Sequence, residues 1–174
     1  TFFDVASAVE NDPTIKVPET WQELEVVGLK LKNVVKNRNW AGKYVKHDGT
    51  TINAGDVPKT PTPELIAEIA IDLTNLADPN DFVPFSWDST SNFFITILRQ
   101  WNAEYTRRGA TFHNGTIEFH RGDSRAKTLA ALAYFKDLAE RRIVGIPETY
   151  GEELYSSKPF REGKLALTIS SSAG

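Results

Sequence analysis

Two short polar runs carry the residue types best suited to holding a ligand. The first is Ser86-Trp87-Asp88-Ser89-Thr90-Ser91, which follows the apolar stretch Phe82-Val83-Pro84-Phe85 and leads into an amphipathic one. An indole offers a flat apolar face to a sugar ring, and a carboxylate accepts hydrogen bonds from vicinal hydroxyls. Trp87 and Asp88 together therefore suit a carbohydrate. The second run is Ser170-Ser171-Ser172-Ala173-Gly174, whose small side chains leave room for a ligand and expose hydroxyls and backbone N–H groups. Each run also has a plainer reading. Ser89 or Ser91 can simply cap a helix, with Trp87 as a rim aromatic, and the serines can form a Ser/Gly loop or a loose end.

The elements that must position these residues are legible. Phe82 to Phe85 reads as a short strand, with Pro84 pointing to an edge or a strand end. Beyond the polar run, Phe94, Ile97, Leu98, Trp101 and Tyr105 share a helical face. Strand, polar loop and helix N-terminus in that order aim free N–H groups and the positive dipole end at the loop. Leu165, Leu167 and Ile169 alternate with Ala166, Thr168 and Ser170, which predicts a strand running into the serines.

The rest of the chain reads as scaffold. Residues 1–19 show no lasting period, with a turn at Asn11-Asp12-Pro13. Thr20-Trp21-Gln22-Glu23 is a capping box, and Leu24, Val27, Leu31 and Val34 follow on one helical face. Trp21 is expected to pack. Residues 36–62 read as a loop or short hairpin, with turn signals at Asp48-Gly49 and Ala54-Gly55. Their lysines and Arg38 suit a solvated face, because no phosphate-binding glycine spacing accompanies them. Trp40 in this stretch either packs locally or reaches over a cleft. Thr62-Pro63 starts a predicted helix with Leu65, Ile69, Leu73 and Leu76 on one face. Phe112 to Phe119 has a hairpin signature, with Asn114-Gly115 as a type I′ pair; Asn114-Gly115-Thr116 is also formally a glycosylation sequon, which the turn explains equally well. Asp123 or Ser124 is expected to cap a helix whose face holds Leu132, Phe135, Ala139 and Ile143, with Asp137 and Arg141 as an i,i+4 pair.

At 174 residues, 40% hydrophobic and 25% charged, the chain fits one globular domain. A net charge of -3 gives no reason to expect nucleic acid or an anionic membrane as partner. There is no cysteine, hence no disulfide or thiol chemistry. No apolar run is long enough to span a bilayer. His113, His120 and Asp123 lack metal-ligand spacing, so no metal or cofactor is expected. Met is absent even at position 1, and the chain stops just after a strand, as expected of a piece of a longer protein.

Three segments share a resemblance. VPETWQEL, the A-x-x-x-F-x-x-L helix from Ala131, and FREGKLALTISSSAG resemble, in order, parts of the C-terminal lobe of extracellular solute-binding proteins of ABC importers. The type is that of maltodextrin, oligosaccharide and glycerol-phosphate binders. Leu167 stands where that family usually has Met, a volume-conserving exchange. The resemblance implies an α/β lobe of periplasmic-binding-protein type II architecture, layered helices around a mixed sheet, here incomplete, with residues 1–174 as one partial lobe and 36–62 as a loop insertion. It implies a non-enzymatic, monomeric, extracytoplasmic protein, periplasmic or a cell-surface lipoprotein, that hands a sugar, oligosaccharide or polyol phosphate to ABC permease subunits. Trp87 would stack on the ligand, Asp88, Ser89 and Thr90 would hydrogen-bond it, and Ser170, Ser171 and Ser172 would close the site. The alternatives are a carbohydrate-active enzyme, which needs a second carboxylate across a cleft from Asp88, and a protein-interaction module using Trp40 and the basic loop.

Overall fold

Helices and small sheets alternate in a mixed α/β fold, seen in a computed structural model that describes residues 1–111, 114–147 and 155–170. The backbone groups into two compact units, residues 1–88 with 142–174, and residues 89–141. Among the described residues no helix is long and apolar enough to cross a membrane.

The first unit opens on helix α1, Phe2–Glu10, in a stretch where the sequence shows no lasting period. Its signal is local: Thr1 and Asp4 form a reciprocal capping box, and Phe3, Val5 and Ala6 are buried. The predicted turn follows, with Asn11 left-handed at φ 50°. Asp12 then accepts from Lys30 at 2.7 Å, and this bond, with those from Thr14, holds its carboxyl at about 2, below the usual carboxylate value. Helix α2, Trp21–Asn37, follows the sequence expectation closely. Thr20 accepts the Glu23 N–H, and Leu24, Val27, Leu31 and Val34 are buried. The Glu23 carboxylate takes the N–H of Glu19 at 2.7 Å, one residue beyond the usual capping-box partner. Trp21 packs edge-on against Phe85.

Residues 36–62 contain a hairpin, strand β1 (Lys43–Lys46) and strand β2 (Thr51–Asn53), turning at Asp48-Gly49 as the sequence suggests. Trp40 is 1% exposed in the same core as Leu31, Val35, Val45, Leu73 and Phe82, so it packs and does not reach over a cleft. The predicted helix from Pro63 to Leu76 is shorter than expected. Helix α3 stops at Glu68, and strand β3 (Ile69–Asp72) pairs antiparallel with β1, giving the order β2-β1-β3. Ile69 and Ile71 alternate with Ala70 and Asp72, and this short period-2 run with an open partner edge overrides the helical spacing.

Strand β4, Val83–Trp87, is buried at every position. It pairs in parallel with strand β7, Leu165–Ile169, and bridges to Val144 on its other side. A strand lined on both edges reads as a continuous buried run, so Pro84 does not mark an edge here. The Ser86 hydroxyl donates to the Gly145 carbonyl at 2.8 Å.

In the second unit, helix α4 (Thr90–Gln100) buries Phe93, Ile97 and Leu98. A two-residue ladder joins strand β5 (Thr106–Arg107) to strand β6 (Thr116–Ile117). The hairpin expected at 112–119 thus pairs with an earlier strand, and Asn114 and Gly115 precede β6. Gly115 lacks the positive φ that the second position of a type I′ turn requires. Helix α5, Gly122–Glu140, begins one residue before the expected caps. Arg121 holds the cap position, and the Ser124 hydroxyl accepts the Glu104 N–H at 3.0 Å. Its buried face is Thr128, Ala131, Phe135 and Leu138, while Leu132 is 42% exposed. The Asp137–Arg141 pair forms at 2.9 Å.

Candidate functional site

The ends of β4 and β7 meet as the parallel pairing requires: Trp87 lies opposite Ile169, and the Asp88 N–H donates to the Ile169 carbonyl at 3.0 Å. Asp88 and Ser170, each one residue past its strand, therefore leave neighbouring strands at the same level. Asp88 is half-buried and Ser170 exposed. In an open α/β sheet this is where strand ends face a ligand crevice.

Asp88 has a second task. Its Oδ1 accepts the Ser156 backbone N–H at 2.9 Å and the Ser156 hydroxyl at 2.8 Å. The Ser156 oxygen also meets the Thr168 hydroxyl. Since the Ser156 proton goes to Asp88, Thr168 is the donor in that contact, and the chain of bonds runs from Thr168 through Ser156 to Asp88. Ser156 is completely buried just before helix α6, Ser157–Arg161. One oxygen of Asp88 is thus committed to holding this segment onto the strand ends. Neither Ser156 nor Thr168 stands out in the sequence. Thr168 alone left a trace, as a polar residue in an otherwise apolar half of β7.

Trp87 requires a correction. Its side chain is 6% exposed and its ring lies 6.1 Å from that of Phe85, so it has no free face for a sugar. The strand continues two residues beyond Phe85, which turns the expected loop tryptophan into a core residue. Ser89 caps α4, its hydroxyl accepting the Asn92 N–H at 3.3 Å, and Thr90 is the first helical residue, exposed. Both belong to the second unit, whereas Trp87, Asp88 and Ser170 belong to the first. Ser171 and Ser172 lie outside the described residues, as does His113. Among the described residues no three His, Asp or Glu side chains are placed to hold a metal ion.

A cavity of about 420 Å³ lies elsewhere in the first unit, against the N-terminal half of β7, walled by Phe2, Phe3, Ile71, Leu165 and Leu167. Asp72 on its lining already accepts from the N–H and hydroxyl of Thr74. Most of its walls are apolar, with Thr1, Asp72 and Arg161 as the polar members of the lining.

If Asp88 ties down Ser156, Asp88→Ala leaves two buried donors unpaired and is expected to cost about 1–3 kcal/mol. Asp88→Asn keeps an acceptor oxygen and is expected to cost less. Urea unfolding followed by circular dichroism reads both; an unchanged midpoint for Asp88→Ala would mean that the tether carries no weight.

Comparison with family models, with curated proteins and with solved structures finds no match to the chain.

Proposed function

We propose that the chain is a solute-binding lobe of an ABC importer, of periplasmic-binding-protein type II architecture, which binds a sugar or oligosaccharide without chemical turnover. The observation that carries this reading is the pair of parallel strands ending level, with Asp88 and Ser170 side by side beyond them. The resemblance of FREGKLALTISSSAG and VPETWQEL to that family supports the same assignment. Asp88 Oδ2 would accept from sugar hydroxyls while Oδ1 stays on Ser156, with Ser170 beside it at the end of the neighbouring strand. The carboxylate favours a neutral ligand over a phosphorylated one. Trp87, buried against Phe85, takes no part in stacking on the ligand. In the complete protein a second lobe would cover the ligand and closure would signal the permease subunits.

Half a cleft binds weakly, so the test is an amide-resonance titration with maltose, maltotriose and glycerol 3-phosphate. Saturable shifts centred on Asp88 and Ser170, larger for the neutral sugars, are expected at millimolar concentrations, about 4 kcal/mol of binding. Shifts that scatter over the surface, or favour glycerol 3-phosphate, would reject the assignment.

A further inference from the structure

Asn114-Gly115 is the sole Asn-Gly pair in the chain, and although Gly109 packs close on the Asn114 carbonyl and Cβ, the amide end of the side chain is not held. Both residues are exposed. Asn114 is held through its backbone, its N–H donating to the Thr111 carbonyl at 3.1 Å, and among the described residues its side-chain amide makes no hydrogen bond. The β5–β6 ladder begins at Thr116, so the Gly115 N–H lies outside it. A Cβ built on Gly115 would come no nearer to any neighbour than 3.7 Å, from the Arg107 carbonyl oxygen. The face of Gly115 on which a Cβ would stand is therefore open, and no side chain there covers the approach to its nitrogen.

We propose that Asn114 is a site of spontaneous deamidation. The Gly115 backbone nitrogen, losing its proton to hydroxide, attacks Asn114 Cγ. The new C–N bond closes a five-membered succinimide as the C–NH₂ bond breaks and ammonia leaves. Water then adds to either ring carbonyl and reopens it to aspartate or isoaspartate. One water is consumed, one ammonia is released, and nothing is oxidised or reduced. The reaction needs a side chain free to swing over its own backbone and a following residue without a Cβ to block the nitrogen.

The Asp48-Gly49 pair, open in principle to the same ring closure, is protected by structure. Asp48 Oδ1 accepts both the N–H and the hydroxyl of Thr50, at 2.9 and 2.7 Å. Gly49 sits at φ 84° with Val9 pressed where a Cβ would be. The aspartate there is pinned and Asn114 is not. Conversion at Asn114 sets a carboxylate two residues before β6, and the isoaspartate form adds a backbone methylene at the entry to the strand.

The test is to hold the folded chain at about 37 °C over a pH series and to map its tryptic peptides. Residues 109–121, released between Arg108 and Arg121, carry Asn114 as their single side-chain amide. Replacement of –NH₂ by –OH is therefore assigned without ambiguity, and the two isomers separate by chromatography. Conversion is expected to follow first-order kinetics, to quicken about tenfold per pH unit, and to run within a few-fold of the rate in urea. Gly115→Ala should slow it about tenfold or more by blocking the approach, without cost to folding, since Gly115 is not left-handed and has room for the methyl. A folded-state rate far below that in urea, or one indifferent to Gly115→Ala, would overturn the proposal.

Discussion

Replacing Trp40 by alanine is expected to lower stability by about 3–5 kcal/mol, the usual cost of emptying a buried tryptophan site, against a total of roughly 5–15 kcal/mol for a native domain. The side chain is 1% exposed. Its ring meets Phe2 edge-on, and its backbone N–H donates to the Val35 carbonyl at 3.1 Å, carrying the chain from α2 into the β1–β2 hairpin. The indole therefore fills the space between a helix and the sheet that follows it. Trp40→Phe keeps most of the apolar contact and should lose less than half as much. Chemical denaturation followed by far-UV circular dichroism reads both. A tryptophan lying on an exposed loop would change stability by about 0.5 kcal/mol or less, so a small effect for Trp40→Ala would remove it from the core and revive its reading as a surface contact.

Trp40 and Trp87 show where the sequence could and could not be read. Both stand beside Gly, Asn, Asp or Ser, the composition of loops, and both are core residues. Local composition describes the backbone around an aromatic side chain, not the direction in which that side chain points. In the first case Phe2 meets the ring and Leu73 and Phe82 share its core; in the second, β7 and the Ile143–Gly145 segment line a strand that runs on to Trp87. These are contacts across long sequence separations, which no window of neighbouring residues records. Helix α2 was legible because its cap, its period and its buried face agree with one another. The region after Pro63 was not, because Leu65, Ile69, Leu73 and Leu76 fit a helix as well as Ile69 and Ile71 fit a strand. The free edge of β1 decides between them.

The candidate site divides along the same line. Asp88 and Ser170 were legible as polar residues following strands, and the parallel pairing brings those strand ends together. The use of one Asp88 oxygen to hold Ser156 was not legible, since the two lie 68 residues apart. The consequence for ligand chemistry is concrete. A carboxylate already fixed by two donors keeps its orientation without a ligand, so the remaining oxygen is presented at little entropic cost.

The glycine of FREGK separates scaffold from site more sharply. Gly163 lies at φ 68°, in the left-handed region, and a Cβ there would stand 1.9 Å from the Asp72 carbonyl oxygen and 2.9 Å from a Leu73 methyl. The obstacle at Asp72 is backbone, at the end of β3, and cannot rotate away. Gly163→Ala therefore meets two penalties: about 1–2 kcal/mol for a left-handed alanine, and a clash relieved only by moving the start of β7 from the end of β3. A total of about 3–4 kcal/mol is expected. Gly42 separates the two, because it is left-handed at φ 75° with nothing within 4 Å of its Cβ position, so Gly42→Ala should show the conformational cost alone. Urea midpoints measured on both variants decide the matter. If Gly163→Ala is clearly the worse, this glycine is required by the close approach of β3 and β7, and its place in the motif is structural. If the two lose equally, β7 is free to shift, and Ser170 with it, so the level ending of β4 and β7 on which the proposed binding shelf rests would no longer hold.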